Sequence, residues 1–318
     1  MGRTRNLSKF AKNTTTTGTL TQEAGGSGVQ SVASRPGSPT NGTVIWNTTS
    51  NVLETYVGTG WVTLASQSYS VDYLVVAGGG AGGNYGGGGG AGGYLASSFT
   101  ITPATSYTIT VGAGGVGASV NPRYGGNGSN SAIVTVATAI GGGGGGGNDP
   151  ATVDAHSGRS GGSGGGASNQ NATGVYGSGT AGQGNRGGSA TSSGINNRGG
   201  GGGGAGAVGV DGSSTGNGGA GTTWLNGTTY AGGGGGGGSA LTNSSGGSGG
   251  GGGYGVTGTV NTGGGGGSGN DNAASNKNGG SGIVIIRYLG SQRGIGGTVT
   301  TADGYTYHTF TSSGTFTA

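Results

Sequence analysis

The chain carries two imidazoles, His156 and His308, so histidine-based acid–base or metal chemistry would have to run through one of them. His156 lies in NDPATVDAHSGRSGG, with Asp149 and Asp154 upstream. A proton relay needs such a pairing, yet the surrounding Gly, Ser and Ala read as an exposed loop, and no metal-ligand spacing accompanies it. His308 alternates with Tyr307 and Thr309 in a strand pattern and reads as structural. A phosphate-binding loop needs Gly-Lys-Ser/Thr, and none of Lys9, Lys12 and Lys277 follows a glycine. Gly-x-Gly-x-x-Gly matches are unavoidable with 94 glycines in 318 residues and carry no dinucleotide signal. Eight acidic residues spread over the chain do not form the regular Asp pattern of calcium repeats. The expectation is a non-enzyme with no cofactor and no metal.

Recognition is better supported. Rings and arginines stand in small polar text: Tyr176 in NQNATGVYGSG, Arg198 in GINNRGG, Trp224 and Tyr230 in GTTWLNGTTY, and Tyr254 in GGGYGV. Tyr, Trp, Ser, Asn and Gly favour adaptable contact surfaces, and these five residues are the candidate receptor-binding set.

Charge narrows the partners. Residues 1–35 hold Arg3, Arg5, Lys9, Lys12 and Arg35 against Glu23, which accounts for the whole net charge of +4. A neutral body with a short basic head suits docking onto another protein, whereas nucleic-acid tracking needs clustered Lys and Arg. No apolar run is long enough to insert in a membrane. There is no cysteine, so disulfides and thiolate metal sites are excluded.

The elements that must position these residues fall into five stretches. Residues 1–38 read as an extended arm, anchored through Arg3, Arg5, Lys9 and Lys12. Residues 39–69 contain a three-strand meander over Val44–Trp46, Val52–Tyr56 and Trp61–Leu64, too small to bury much alone and so expected to pack against copies of itself. Residues 70–140 supply the first part of a β-sandwich, with strands at 71–77, 95–102, 107–111 and 133–140. Residues 283–318 close it with two or three more. YLVVA and IVIIRY are near-continuous apolar runs, expected of strands covered on both faces.

Residues 141–282 contain nine Ile, Leu or Val and no Phe or Met, so no ordinary apolar core can form there. Glycine runs recur instead, at 141–147, 199–204, 232–238, 249–253 and 263–267. A polyproline II chain has three residues per turn and no internal hydrogen bonds, so its N–H and C=O groups need outside partners. Glycine chains in that conformation can supply one another, because without Cβ they approach closely. The expectation is an all-β fold with little or no α-helix, into which a bundle of polyglycine II helices is inserted with polar end loops.

VDYLVVAGGGAGG, GQGNRGG, YAGGGGGG, GGSGIVIIRY and YHTFTSSGTFTA together resemble the glycine-rich domain of bacteriophage tail-fibre and adhesin proteins, notably from marine and cyanobacterial phages. The meander is similar to those of trimeric fibre proteins. The resemblance implies a virion protein, a homotrimer, whose lattice presents loops to a host-surface glycan or protein; the alternative is a capsid-decorating or tail-structural spacer without receptor contact. In the related domains HTFTSSGTFT precedes YLVVAGG, whereas here it ends the chain. That leaves the closing strand either to pair with residues 73–77 of its own or a neighbouring subunit, or to begin a truncated repeat.

Overall fold

The computed structural model describes residues 29–66, 68–117, 123–147, 156–168, 175–191, 198–238, 243–269 and 277–318. The described residues are all-β, with several sheets and no α-helix. They form two compact units, one comprising the residues up to Tyr69 with 100–105 and Ala318, the other the remainder. The anchor residues Arg3, Arg5, Lys9 and Lys12 lie outside the described residues.

The smaller unit is a four-stranded sheet in the order β1 (Gln30–Val32), β2 (Val44–Asn47), β3 (Val52–Tyr56) and β4 (Trp61–Ser66). The meander is as expected. Strand β1 is an addition: Gln30–Val32 pairs parallel with β2, so the stretch read as arm joins this sheet well before residue 38. One face pairs Ile45 with Glu54, both buried. Arg35 binds Glu54 bidentately, Nη2 to Oε1 at 2.6 Å and Nε to Oε2 at 3.1 Å, while Asn47 Nδ2 donates to Oε2. This guanidinium holds the Glu54 carboxyl below the usual carboxylate range, against the opposing push of burial. The other face carries Val44, Trp46, Leu53 and Val62, of which Val62 is exposed, as is Leu64 two residues on.

In the larger unit a five-stranded sheet runs β13 (Thr298–Ala302), β14 (Tyr305–Phe310), β12 (Ile283–Leu289), β5 (Tyr69–Val76) and β6 (Tyr94–Ile101). A four-stranded sheet runs β15 (Gly314–Thr317), β7 (Ser106–Thr110), β8 (Ser131–Ile133) and β9 (Ala137–Ala139). The central strands β5 and β12 are buried on both faces, which explains their unbroken apolar text. One face meets the second sheet through an aromatic row in which Phe99 touches Tyr107 at 5.4 Å and His308 touches Phe316 at 4.9 Å. His308 is fully buried, its Nδ1 against Gly296 O and its Nε2 against Tyr288 Oη, both at 2.8 Å. The carbonyl accepts only, so Nδ1 carries the proton and the phenol donates to Nε2. Burial depresses its pKa, which keeps this ring neutral and structural.

Two strand expectations need correction. The single strand over 133–140 is a hairpin of β8 and β9, because Thr135 takes a left-handed φ of 70° and reverses the chain. The closing strand does not pair with 73–77: β15 pairs with β7, while β5 is occupied by β12 and β6. Strand β13, from TVTTA, was not foreseen; the positive φ at Gly296, Gly297 and Asp303 sets it off as an edge hairpin arm.

The glycine segments continue directly from the sandwich strands and bond in a strict period of three. From Ala77, every third N–H donates to one neighbour: Ala77, Gly80 and Gly83 to Gly93, Gly90 and Gly87; Gly78, Ala81 and Asn84 to Ser129, Gly126 and Arg123; Gly79 and Gly82 to Gly280 and Lys277. A bonding period of three, three neighbours and no bond within the segment match what polyproline II chains, with three residues per turn, require of their surroundings. Residues 87–93 donate in the same period to 140–146, 200–203 and 263–266, and accept from 77–83, 163–166 and Gly234, so six chains enclose them. All seven of their N–H groups are bonded to backbone carbonyls without any side chain.

This lattice is wider than residues 141–282. It starts at Ala77 and takes in 77–93, 112–117 and 123–130, together with polar text expected to form end loops, such as 156–162, 184–191 and 207–212. On outer chains the outward residue is free to carry Ser, Val or Arg. Where a neighbour presses in, only glycine fits: a Cβ on Gly89 would lie 2.6 Å from the Gly80 carbonyl carbon.

Candidate functional site

Bond registers place the lattice chains between the sandwich and a far face. The turn at Asn84–Tyr85–Gly86 lies on that face, Tyr85 with a φ of 46°, and Arg123, Lys277, Gly237 and Gly269 bond beside it. Two stacked cation–ring pairs lie on the chains that surround the lattice. The Arg159 guanidinium sits 3.9 Å over the Tyr124 ring, and that of Arg186 sits 4.4 Å over Tyr176. Such stacking fixes the rings while leaving the cations partly in water.

The five receptor candidates do not converge. Tyr176 is half-buried on an outer chain beneath Arg186, which also faces Asp211 at 3.8 Å. Arg198 is bridged to Thr191 through both backbones, donates from Nη1 to Ser214 O at 3.1 Å, and keeps a buried Nε without a partner. The Tyr254 ring packs over Gly237, and burial together with Tyr85 pushes its phenol up. These three lie toward the far face.

Trp224 and Tyr230 lie at the opposite end, in the hairpin β10 (Thr222–Thr223) and β11 (Thr229–Tyr230), and both are buried. The sequence reading set them in end loops. The structure instead packs them with Leu74, Val76, Ile283, Ile285, Tyr307, Ala91 and Ala231 as the cover of the sandwich's outer face. The seven steps from Tyr230 to Gly237 span about 22 Å at the polyproline II rise, which separates these rings from Tyr254. The signal for the hairpin was present: Asn226-Gly227 between alternating residues is a turn pair, and Gly227 has a φ of 75°.

Beside that hairpin a cleft of about 490 Å³ is lined by Asp72, Tyr94, Ala96, Ser97, Ser98, Thr223, Trp224 and Leu225. Arg287 backs it: Nε donates to Asp72 Oδ2 at 3.0 Å, Nη1 donates to Tyr307 Oη and Leu225 O at 3.3 Å, and the guanidinium lies 4.2 Å from the Tyr305 ring centre. Sequence reasoning overlooked this site, because Asp72, Tyr94 and Arg287 stand far apart in the chain and only the sheet register, Arg287 opposite Asp72, joins two of them.

His156 is buried near the far face, with both ring nitrogens lacking partners. It is therefore not the exposed loop residue its sequence context implied. Among the described residues no carboxylate bonds to it.

Fold and sites together define an all-β protein in which a glycine lattice extends from a small sandwich. The family model described as Glycine-rich domain matches residues 54–289, well over half of the chain, so this chain belongs to the glycine-rich domain family. No curated protein and no solved structure matches it.

Proposed function

We propose that this chain is a bacteriophage tail-fibre protein whose far lattice face contacts a host-surface glycan or protein. The observation that carries the reading is the set of cations and rings displayed by the lattice, Arg159 on Tyr124 and Arg186 on Tyr176 along the outer chains, with Arg198 and Tyr254 toward the face opposite the sandwich. A lattice held by backbone bonds lets that face vary in side chains without disturbing the fold, which suits attachment to changing hosts. The smaller unit trimerises the fibre through the face of Val44, Trp46, Leu53 and Val62, and the basic arm with Arg3, Arg5, Lys9 and Lys12 anchors it in the virion. Three copies convert weak single contacts into firm attachment. No catalytic step is part of the function.

The test is a triple variant, Tyr176→Ala, Arg198→Ala and Tyr254→Ala, carried on the particle. Adsorption to host cells is expected to fall at least tenfold, while the melting temperature of the purified chain shifts by only a few degrees. Unchanged adsorption would favour a structural spacer without receptor contact and would remove the attachment reading.

A further inference from the structure

The cleft beside the β10–β11 hairpin has the composition of a small-molecule site, and nothing in the lattice or the sandwich needs it. We infer that it binds a neutral saccharide of one or two pyranose rings. This inference does not rest on the far-face attachment proposed above, since the two sites lie at opposite ends of the lattice.

Charge selects the ligand class. Asp72 is a carboxylate whose side chain is 35% exposed, and Arg287 Nε bonds one of its oxygens, Oδ2. The pair is neutral as a whole, so the cleft offers neither a cation nor an anion a net counter-charge. What remains is a free acceptor, Oδ1, held at a fixed angle by the guanidinium behind it. A carboxylate oxygen of this kind accepts well from hydroxyls.

The other walls fit a polyhydroxylated ring. Ser98 is exposed on β6, an edge strand of its sheet, on the same face as Tyr94 and Ala96, and its hydroxyl has no partner among the described residues. Tyr94 and Trp224 line the cleft with aromatic surface that can take the C–H face of a pyranose, and Leu225 stands exposed at its rim. A volume of about 490 Å³ lies inside the usual range of ligand pockets, roughly 300–1,000 Å³, which admits one or two sugar rings.

Saturation-transfer NMR on the full chain tests this, using methyl glucopyranoside, methyl galactopyranoside, methyl mannopyranoside, maltose and lactose as probes, with choline and acetate as charged controls. At least one neutral sugar is expected to show transfer to its ring protons, weakened about tenfold in affinity by Asp72→Asn. Ser98→Tyr, an exposed position where the added ring fills the cleft, is expected to abolish it at an unchanged melting temperature. The far-face triple variant is expected to keep it. No transfer from any neutral sugar, transfer from choline or acetate alone, or transfer that survives Ser98→Tyr would each overturn the assignment.

Discussion

Replacing Gly144 with Val is expected to prevent folding of the glycine lattice, with a loss on the order of 5 kcal/mol or more, which belongs to the extreme tail of single substitutions. A Cβ at this position would lie 2.5 Å from the carbonyl carbon of Gly125 and closer still to its oxygen, whereas non-bonded carbons settle about 3.5–4.0 Å apart. The neighbouring chain cannot yield, because Gly125 N–H is itself bonded to Gly145 O, and Gly144 N–H to Asn127 Oδ1. Opening that gap breaks a row of bonds and leaves buried amides without partners. Gly60→Val is the matched control: no atom lies within 4 Å of a Cβ there and no positive φ is required. Soluble yield and thermal unfolding separate the two, with Gly144→Val aggregating or melting far lower and Gly60→Val close to the parent. A near-parental Gly144→Val would mean that residues 141–147 act as a spacer.

Arg35→Ala is expected to cost the smaller unit about 2 kcal/mol, less than the roughly 3–5 kcal/mol of a fully buried pair because the Arg35 side chain is half in water. Its removal strands the Glu54 carboxylate, which is 1% exposed, on Asn47 alone. The pair also sets a pH dependence. The native carboxyl titrates below its ordinary value of 4.5, so its contribution is complete above about pH 4.5 and fades as pH falls through the lower native value. Trp46 and Trp61 fluorescence reports this unit. The parent's stability is expected to drop on the acid side, with Arg35→Ala showing a shallower drop from a lower plateau. Adding Glu54→Gln to Arg35→Ala is expected to recover part of the loss, since a buried amide costs less than an unpaired charge. No recovery would show that the deficit comes from some other contact of Arg35.

The glycine runs were legible as a lattice because they are the one text from which no apolar core can be built. Its extent was not. Sequence marks glycine where chains meet on every side, as at 87–93, but an outer chain such as 184–191 needs glycine only where a neighbour approaches, at Gly184, Gly187 and Gly188, and so reads as a loop. Strand β1 was hidden for a related reason: Gln30, Ser31 and Val32 show no alternation, and their place is set by pairing with β2. Tyr176, Arg198 and Tyr254 could be picked by residue type. The separation of Trp224 and Tyr230 from them depends on which way each lattice chain runs, and a sequence without fixed period does not reveal that. The sheet-end cleft required the pairing of β5 with β12, more than two hundred residues apart.

In the lattice, backbone hydrogen bonds replace an apolar core, and native-state hydrogen exchange reads those bonds directly. The amides of Gly87–Gly93, Gly141–Gly146 and Gly199–Gly204 are expected to exchange only with global unfolding of the larger unit, as slowly as those of β5 and β12. Exchange of these glycines at the rate of an unstructured peptide, while the sandwich strands stay protected, would contradict it.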